Sequence, residues 1–396
     1  MSGADDPFGF TSLNLAWVRA KPGVKWHRSN GQRLAAWVAD MDFPAPAPVL
    51  DALRAFVDGG DLGYPDARNG TGVAELFAER MAARHAWSPD PGHVRELCDV
   101  VQGVRMVTHL MSRPGDGIAF HTPAYPPFLA TSTAMERPLV PIRSVRHGAG
   151  WWFDLERFEA ELAARPCALL ILCNPHNPTG HVFSRAELEA LADVVARHDL
   201  LVISDEIHAE LVYDDGAPHV PFASVSDEMA ERTVTLTSAT KAFNLAGIRL
   251  AVAHVGSPAV RQALAAQPDH LYGAVNPFGV VATKAAWTRG DEWQAAVLAR
   301  LDVNRHLLGA LLADRPALAG VRYVPPSATY LAWLDCRPLD LTDEPVEVFH
   351  RGGVELSPGP DFGEQGVGFA RLNFATSPAI LTAIVDALAA AVTAAR

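Results

Sequence analysis

Thr233-Val234-Thr235-Leu236-Thr237-Ser238-Ala239-Thr240-Lys241 is the stretch that decides the fold. Its first five residues are β-branched or apolar and read as a short buried strand. That strand hands over to small hydroxyl residues and then to a lysine, with Arg249 soon after. Upstream, Leu200 to Ser204 reads as a second buried strand and runs into Asp205-Glu206. Further up, Leu169-Leu170-Ile171-Leu172-Cys173 reads as a third and runs into Asn174-Pro175-His176-Asn177-Pro178-Thr179-Gly180. Each ending has a plain reading by itself. A lysine after Ser and Thr is usually a solvated loop residue, a carboxylate at a strand end is often a helix cap, and Asn-Pro followed by Thr-Gly is a turn. Their combination is harder to dismiss, because open α/β sheets bind ligands beyond the carboxyl ends of their strands. Three strands here end in Asn177, Asp205 and Lys241.

Ser184-Arg185-Ala186-Glu187 matches a capping box, and Leu188, Leu191, Val194 and Val195 follow at helical spacing, ending near His198. Strand, helix and strand in this order make a right-handed crossover and place the middle of the chain in the α/β class, with a mainly parallel sheet covered by helices on both faces. From about Asp291 the pattern changes. A long helix carrying Trp293, Val297, Leu301 and Leu308 leads into short segments at 320–324, 330–334, 353–356 and 368–374, then into an Ala-rich helix from about Pro378 to Arg396. The expected division is an N-terminal segment, 1–48, that joins a small domain; a large domain, 49–288; and a small α+β domain, 289–396.

The composition is that of an ordinary globular protein, 49% apolar and 20% charged. A net charge of −12 without a long basic run argues against nucleic acid and anionic membranes as partners. The first residues are acidic and polar and carry no signal-peptide core, and no stretch reads as apolar enough to span a bilayer. Cys98, Cys167, Cys173 and Cys336 form no CxxC pair and no metal spacing with histidines, which fits a reducing cytoplasm.

A lysine, hydroxyl residues, an arginine and a buried carboxylate at strand ends suit a phosphorylated cofactor with a carbonyl and a basic ring nitrogen. That description fits pyridoxal phosphate: the lysine takes the carbonyl, the hydroxyls and Arg249 take the phosphate, and Asp205 takes the ring nitrogen.

With Asn177-Pro178-Thr179-Gly180, Asp205-Glu206, Ser238 to Lys241, Arg249 and Arg371-Leu372-Asn373 in this order, the chain resembles the fold type I pyridoxal-phosphate enzymes, the aspartate aminotransferase superfamily. Within it, the chain is similar to the bacterial cystathionine β-lyase branch of carbon–sulfur lyases. The pieces that carry this are Trp37-Val38-Ala39-Asp40-Met41-Asp42-Phe43, Cys173 to Pro178, Ser204 to His208, Lys241-Ala242-Phe243-Asn244 and Tyr330 to Asp335.

The resemblance implies a large domain with a sheet of the seven-stranded type and a homodimer with shared sites. It implies Lys241 and Tyr125 as catalytic residues, Lys241 linked to the cofactor and then acting as the base at Cα, Tyr125 stacked on the ring. Asp205 would pair with the ring nitrogen and Asn177 with the phenolic oxygen, and the Asn177–Pro178 bond is expected to be cis. Gln102, Gly103 and Val104 would offer backbone N–H groups to the phosphate, beside Ser238, Thr240, Arg249 and Tyr64 from the neighbouring subunit. Arg371, with Asn177, would hold the substrate carboxylate. His208 stands where typical aminotransferases carry a tyrosine, as in the lyase branch. Arg105 and Phe374-Ala375 depart from the branch pattern: Arg105 reads as a surface arginine rather than as an added charge at the phosphate or the entrance, and Phe374-Ala375 is expected to alter the substrate pocket. The implied activity is α,β-elimination of an S-substituted cysteine to thiol, pyruvate and ammonia. The alternatives are an amino-acid aminotransferase and a pyridoxal-phosphate-binding regulatory protein with weak turnover.

Overall fold

The computed structural model describes residues 6–28, 31–63, 70–147, 150–268 and 271–396. Thirteen strands occur among them. A two-residue strand β1 (Leu34–Ala35) precedes β2 (Val94–Leu97), β3 (Gly117–Thr122), β4 (Leu139–His147), β5 (Gly150–Phe153), β6 (Cys167–Cys173), β7 (Leu201–Asp205), β8 (Thr233–Thr237) and β9 (Ala251–Val255). Then come β10 (Leu331–Asp335), β11 (Val354–Glu355), β12 (Ser357–Pro358) and β13 (Phe369–Asn373).

Eight of them form one sheet in the order β2-β9-β8-β7-β6-β3-β4-β5. The five strands from β8 to β4 pair in parallel, while β9, β2 and β5 add antiparallel pairings at the two sides. The seven strands from β2 to β4 make the expected seven-stranded type, and an eighth is added at one side. The extra one is β5, which folds back on β4 as a hairpin, a short-range pairing that needs no crossover.

Both faces of the sheet are buried, and period two in β6 shows how. Leu169, Ile171 and Cys173 join one apolar cluster with Val104 and Val107 of the helix Val100–Met111. Leu170 and Leu172 join the opposite one with Leu188, Leu191 and Val195 of the helix Arg185–Arg197. The capping box of that second helix is present with both of its bonds, Ser184 accepting from the Glu187 N–H and Glu187 accepting from the Ser184 N–H.

A third core gathers the long helix Asp291–Ala313, the strands β10 and β13, the helix Pro378–Ala395 and the N-terminal segment. β1 pairs in parallel with β11, which ties that segment to the C-terminal part. The segment 320–324 forms no strand, only a bridge between Arg322 and Asp335. The helix Pro378–Ala395 corrects one expectation: by length and composition it is apolar enough to cross a membrane. Here it turns Ile380, Leu381, Ile384, Val385, Leu388 and Val392 into the core instead.

Parallel pairing aligns strand ends. Cys173 is the register partner of Asp205, and Asp205 is the partner of Leu236. The residues just after β3, β6 and β8, and Asp205 at the end of β7, therefore meet at one edge of the sheet. Gly180 closes the turn after β6 with φ +70°. A Cβ at this position would lie 2.3 Å from Cβ of Pro326, so only glycine fits both the conformation and the approach. Gly180→Ala should lower stability by about 2–4 kcal/mol, from left-handed strain plus overpacking, read as the shift in a urea unfolding midpoint.

Candidate active site

A cavity of about 160 Å³ opens at this edge. Tyr125, Asn177, Asp205, His208, Ser238, Thr240, Lys241 and Arg249 all line it, together with Ala39, Asp99, Val100, Val101 and Cys173. The carboxyl ends of four strands thus deliver one constellation. Tyr125 begins the helix Pro126–Ala134, and its phenol is raised in pKa by burial.

Lys241 sits in the short helix Ala239–Ala242, whose N-cap Ser238 accepts from the Thr240 N–H. The Lys241 ammonium donates to the carbonyl of Ala39 at 2.7 Å. Desolvation is the largest influence on it and lowers its pKa; Arg371 acts in the same direction, while Asp40 and Asp205 oppose it.

Asp205 is buried and accepts from the Ile207 N–H at 3.1 Å. It has no ion-pair partner among the described residues, and burial pushes its carboxyl up to about 7. A carboxylate left in this position is suited to a cationic N–H arriving from the cavity. Arg371, on β13, is likewise buried without a carboxylate partner among the described residues. Its guanidinium donates to Oδ1 of Asn177 at 3.0 Å, to the Trp37 carbonyl at 2.9 Å and to Oγ of Ser357 at 3.1 Å, and it stacks over Phe362. Its Nε has no partner among the described residues, and desolvation brings its pKa down to about 10. Arg371 does not line the cavity but stands behind Asn177. His208 is buried against the edge of the Tyr330 ring; desolvation, then Lys241 and Arg371, lower its pKa to about 3, so its imidazole is neutral at physiological pH.

Three sequence expectations are corrected. Gln102, Gly103 and Val104 lie inside the helix Val100–Met111, and the first two have their N–H groups taken within the chain. The Gln102 N–H is taken by Asp99 Oδ1 and the Gly103 N–H by the Asp99 carbonyl. Gly103 lies against the sheet, where a Cβ would come within 2.8 Å of Leu236 and 2.9 Å of Leu97, so its role is close packing, and Val104 is core. Val100 and Val101, the first two helical residues, line the cavity in their place. Ser238 spends its hydroxyl proton on the Leu250 carbonyl. Phe374 and Ala375 are fully buried in the core, not in the cavity wall, and Arg105 bonds Thr131 at 3.2 Å away from it. Tyr64 lies outside the described residues. The bonds preceding Pro123, Pro175 and Pro178 are cis.

Sequence reading missed Asp99. It caps the helix and pairs with Arg249 through Oδ2. Its one signal was its place between a strand and a helix, where a capping acid belongs.

The residues fit pyridoxal phosphate on the structure's own terms: a desolvated lysine, a buried carboxylate with no ion pair among the described residues and a helix start face one cavity. The family model described as aminotransferase class I and II matches residues 70–388. Cystathionine β-lyase PatB of Bacillus subtilis is 33% identical over 369 residues, covering 90% of this chain and 93% of its own. Among solved structures, OvoB is similar at a TM-score of 0.89 and 34% identity, covering 96% of this chain and 98% of its own. The pyridoxal-phosphate-bound C–S lyase of Staphylococcus hominis is similar at 0.88 and 27% identity, covering 97% and 100%.

The Asp205 carboxyl makes a pH prediction for the protein without cofactor. Its folded-state pKa is raised from 3.8 to about 7, so the folded protein holds this proton more tightly than the unfolded chain. The stability it contributes is therefore present at low pH and declines as pH rises through that interval. Asp205→Asn removes the buried charge. The cofactor-free variant should be more stable than the wild type above about pH 7, on the order of a few kcal/mol, and about equal to it below about pH 4. Denaturant titrations at the two pH values check it.

Proposed function

Because the chain belongs to the aminotransferase class I and II family, we propose that it is a pyridoxal-phosphate-dependent carbon–sulfur β-lyase acting on an S-substituted cysteine of the cystathionine class. The observation that carries this reading is the joint placement of Lys241 and Asp205 on one cavity, each destabilised in its charged form by burial and without an ion pair among the described residues. The similarity to a cystathionine β-lyase over nearly the whole chain supports elimination as the outcome.

Pyridoxal phosphate supplies a carbonyl that takes the substrate amine and a ring that draws electrons from Cα. The protein's part is binding, orientation and proton handling. Thr240, Arg249 and the helix start at Val100 would hold the phosphate, where a helix N-terminus favours an anion. Asp205 would keep the ring nitrogen protonated, and Tyr125 would cover the ring. Asn177 would serve the ring oxygen through its amide, the Oδ1 of which already accepts from Arg371. Arg371 would take the α-carboxylate and so fix which bond at Cα faces Lys241. Lys241, its pKa lowered by desolvation, would remove the Cα proton. Loss of the sulfur substituent from Cβ then gives the thiol, and hydrolysis of the remaining enamine gives pyruvate and ammonia. His208 would stay neutral and so add no third cation beside Lys241 and Arg371.

The same reading divides the chain at residues 48 and 288, supported by the pairing of β1 with β11. It makes the active form a homodimer in which Tyr64 reaches the partner's phosphate. The exposure of Arg249 at the rim of the cavity supports an open side of that kind, and sedimentation of the active protein tests it.

Incubated with cystathionine or another cysteine S-conjugate, the protein should release pyruvate and thiol in equal amounts with no added keto acid. A requirement for keto acid, with a new amino acid formed from it, would overturn elimination in favour of transamination. Arg371→Lys should lose about tenfold to a thousandfold in kcat/KM, since an ammonium cannot grip a carboxylate with two parallel bonds. Its cofactor content, read by absorbance, should stay near the wild-type value.

A further inference from the structure

The phosphate end of the cavity already contains an anion. Asp99 caps the helix Val100–Met111 by accepting from the Gln102 N–H at 2.7 Å, and its other oxygen pairs with the Arg249 guanidinium. Both residues line the cavity beside Thr240, Val100 and Val101. Arg249 holds a left-handed backbone conformation, φ +60°, which is uncommon for a residue with a side chain and is retained where the surroundings demand it. From that position its side chain lies 61% exposed, within reach of a ligand.

We propose that Asp99 is a resident anion at the phosphate end. It holds Arg249 in place before a ligand arrives, and it lowers the affinity of the site for the phosphate group in particular. The inference rests on the cofactor reading above and deepens it.

Two physical arguments lead there. A phosphate entering the helix start must share Arg249 with Asp99, so part of the attraction it would gain is already taken. It must also approach the Asp99 carboxylate, and like charges a few ångströms apart repel by an amount worth about tenfold or more in affinity at the dielectric of a partly exposed site. Neither argument touches the ring end of the cavity, where Lys241 and Asp205 lie. The effect is therefore specific to the phosphate. Asp99 cannot simply be dispensed with, because the helix start needs a cap. Asparagine and serine cap as well as aspartate and carry no charge, so they separate the two roles.

The test compares pyridoxal phosphate with pyridoxal, which lacks the phosphate. Cofactor-free wild type, Asp99→Asn and Asp99→Ser are titrated with each compound, and binding is read by the absorbance of the bound chromophore and by calorimetry. Both variants should bind pyridoxal phosphate about tenfold more tightly than the wild type, with pyridoxal affinity unchanged. Adding Arg249→Gln should cost more affinity in the Asp99→Asn protein than in the wild type, because the arginine there serves the phosphate alone. Unchanged or weaker pyridoxal-phosphate affinity in both variants overturns the inference, as does an equal gain for both compounds. Those results leave the cofactor reading standing. A wild type that binds neither compound overturns the cofactor reading and this inference with it.

Discussion

Seven consecutive carbonyls, from Trp37 to Phe43, have to be satisfied without a sheet or a helix to do it. The segment leaves β1 and crosses toward the cavity in irregular conformation, and a buried carbonyl without a donor costs about 1–3 kcal/mol. Side chains meet the requirement one by one. Trp37 accepts from Ser357 and Arg371, Val38 from Asn373, Ala39 from Lys241 and Tyr330, and Asp40 from Lys25 and Asn373. Met41 and Phe43 both accept from the Asn244 amide, and Asp42 accepts from Lys21. Two of these donors, Lys241 and Arg371, are also the cations of the proposed chemistry. The strand β13 and the Lys241 turn are thus brought to the cavity by the same bonds that hold the segment in place.

That arrangement explains why the sequence motifs come in the form they do. Asn244 follows Lys241 by one helical turn, and Asn373 follows Arg371 by one strand repeat. In each pair both side chains donate to the crossing segment: Lys241 and Asn244 to Ala39, Met41 and Phe43, and Arg371 and Asn373, on one face of β13, to Trp37, Val38 and Asp40. An asparagine amide offers two N–H donors, which is why one Asn373 can reach both Val38 and Asp40 while its Oδ1 accepts from the Ala375 N–H. An aspartate in its place would present acceptors to acceptors. The same logic covers Tyr330, whose ring packs in the core while its hydroxyl reaches Ala39.

These bonds also mark the boundary of what the sequence reveals. β6, β7, β8 and the helix that starts after Ser184 were legible because their signals are local: β-branched runs, a capping box, period-3.6 apolar positions. The convergence of Asn177, Asp205 and Lys241 followed from a general property of parallel sheets and needed no contact information. The donors to the crossing segment come from residues that are mostly some 200 to 335 positions away, and no local pattern encodes such a pairing. Gln102-Gly103 resembles a phosphate-binding loop in sequence, whereas packing against Leu97 and Leu236 is what requires that glycine. Phe374-Ala375 departs from the branch pattern right after Arg371-Leu372-Asn373, which points to the pocket, yet both residues are core. In a strand, alternate residues face opposite sides, and beyond the strand's end the chain turns into the core.

The charges around the cavity remain unbalanced in a way that only ligands resolve. Lys241 and Arg371 are both disfavoured as cations by burial, and His208 between them is held neutral. Asp205 is disfavoured as an anion for the same reason. Neither kind of group can relieve the other fully, because Arg371 is turned toward Asn177 and Trp37 while Asp205 is held by the Ile207 N–H. On the proposed reading, a cationic ring nitrogen at Asp205 and a carboxylate at Arg371 would each supply the missing counter-charge at its own end. Binding at one end shifts the electrostatics of Lys241 at the centre: neutralising Arg371 removes an influence that lowers the lysine's pKa, and engaging Asp205 removes one that raises it. On that reading the two ligand ends would act on Lys241 in opposite directions, and the basicity of the central amine would depend on both ends being occupied.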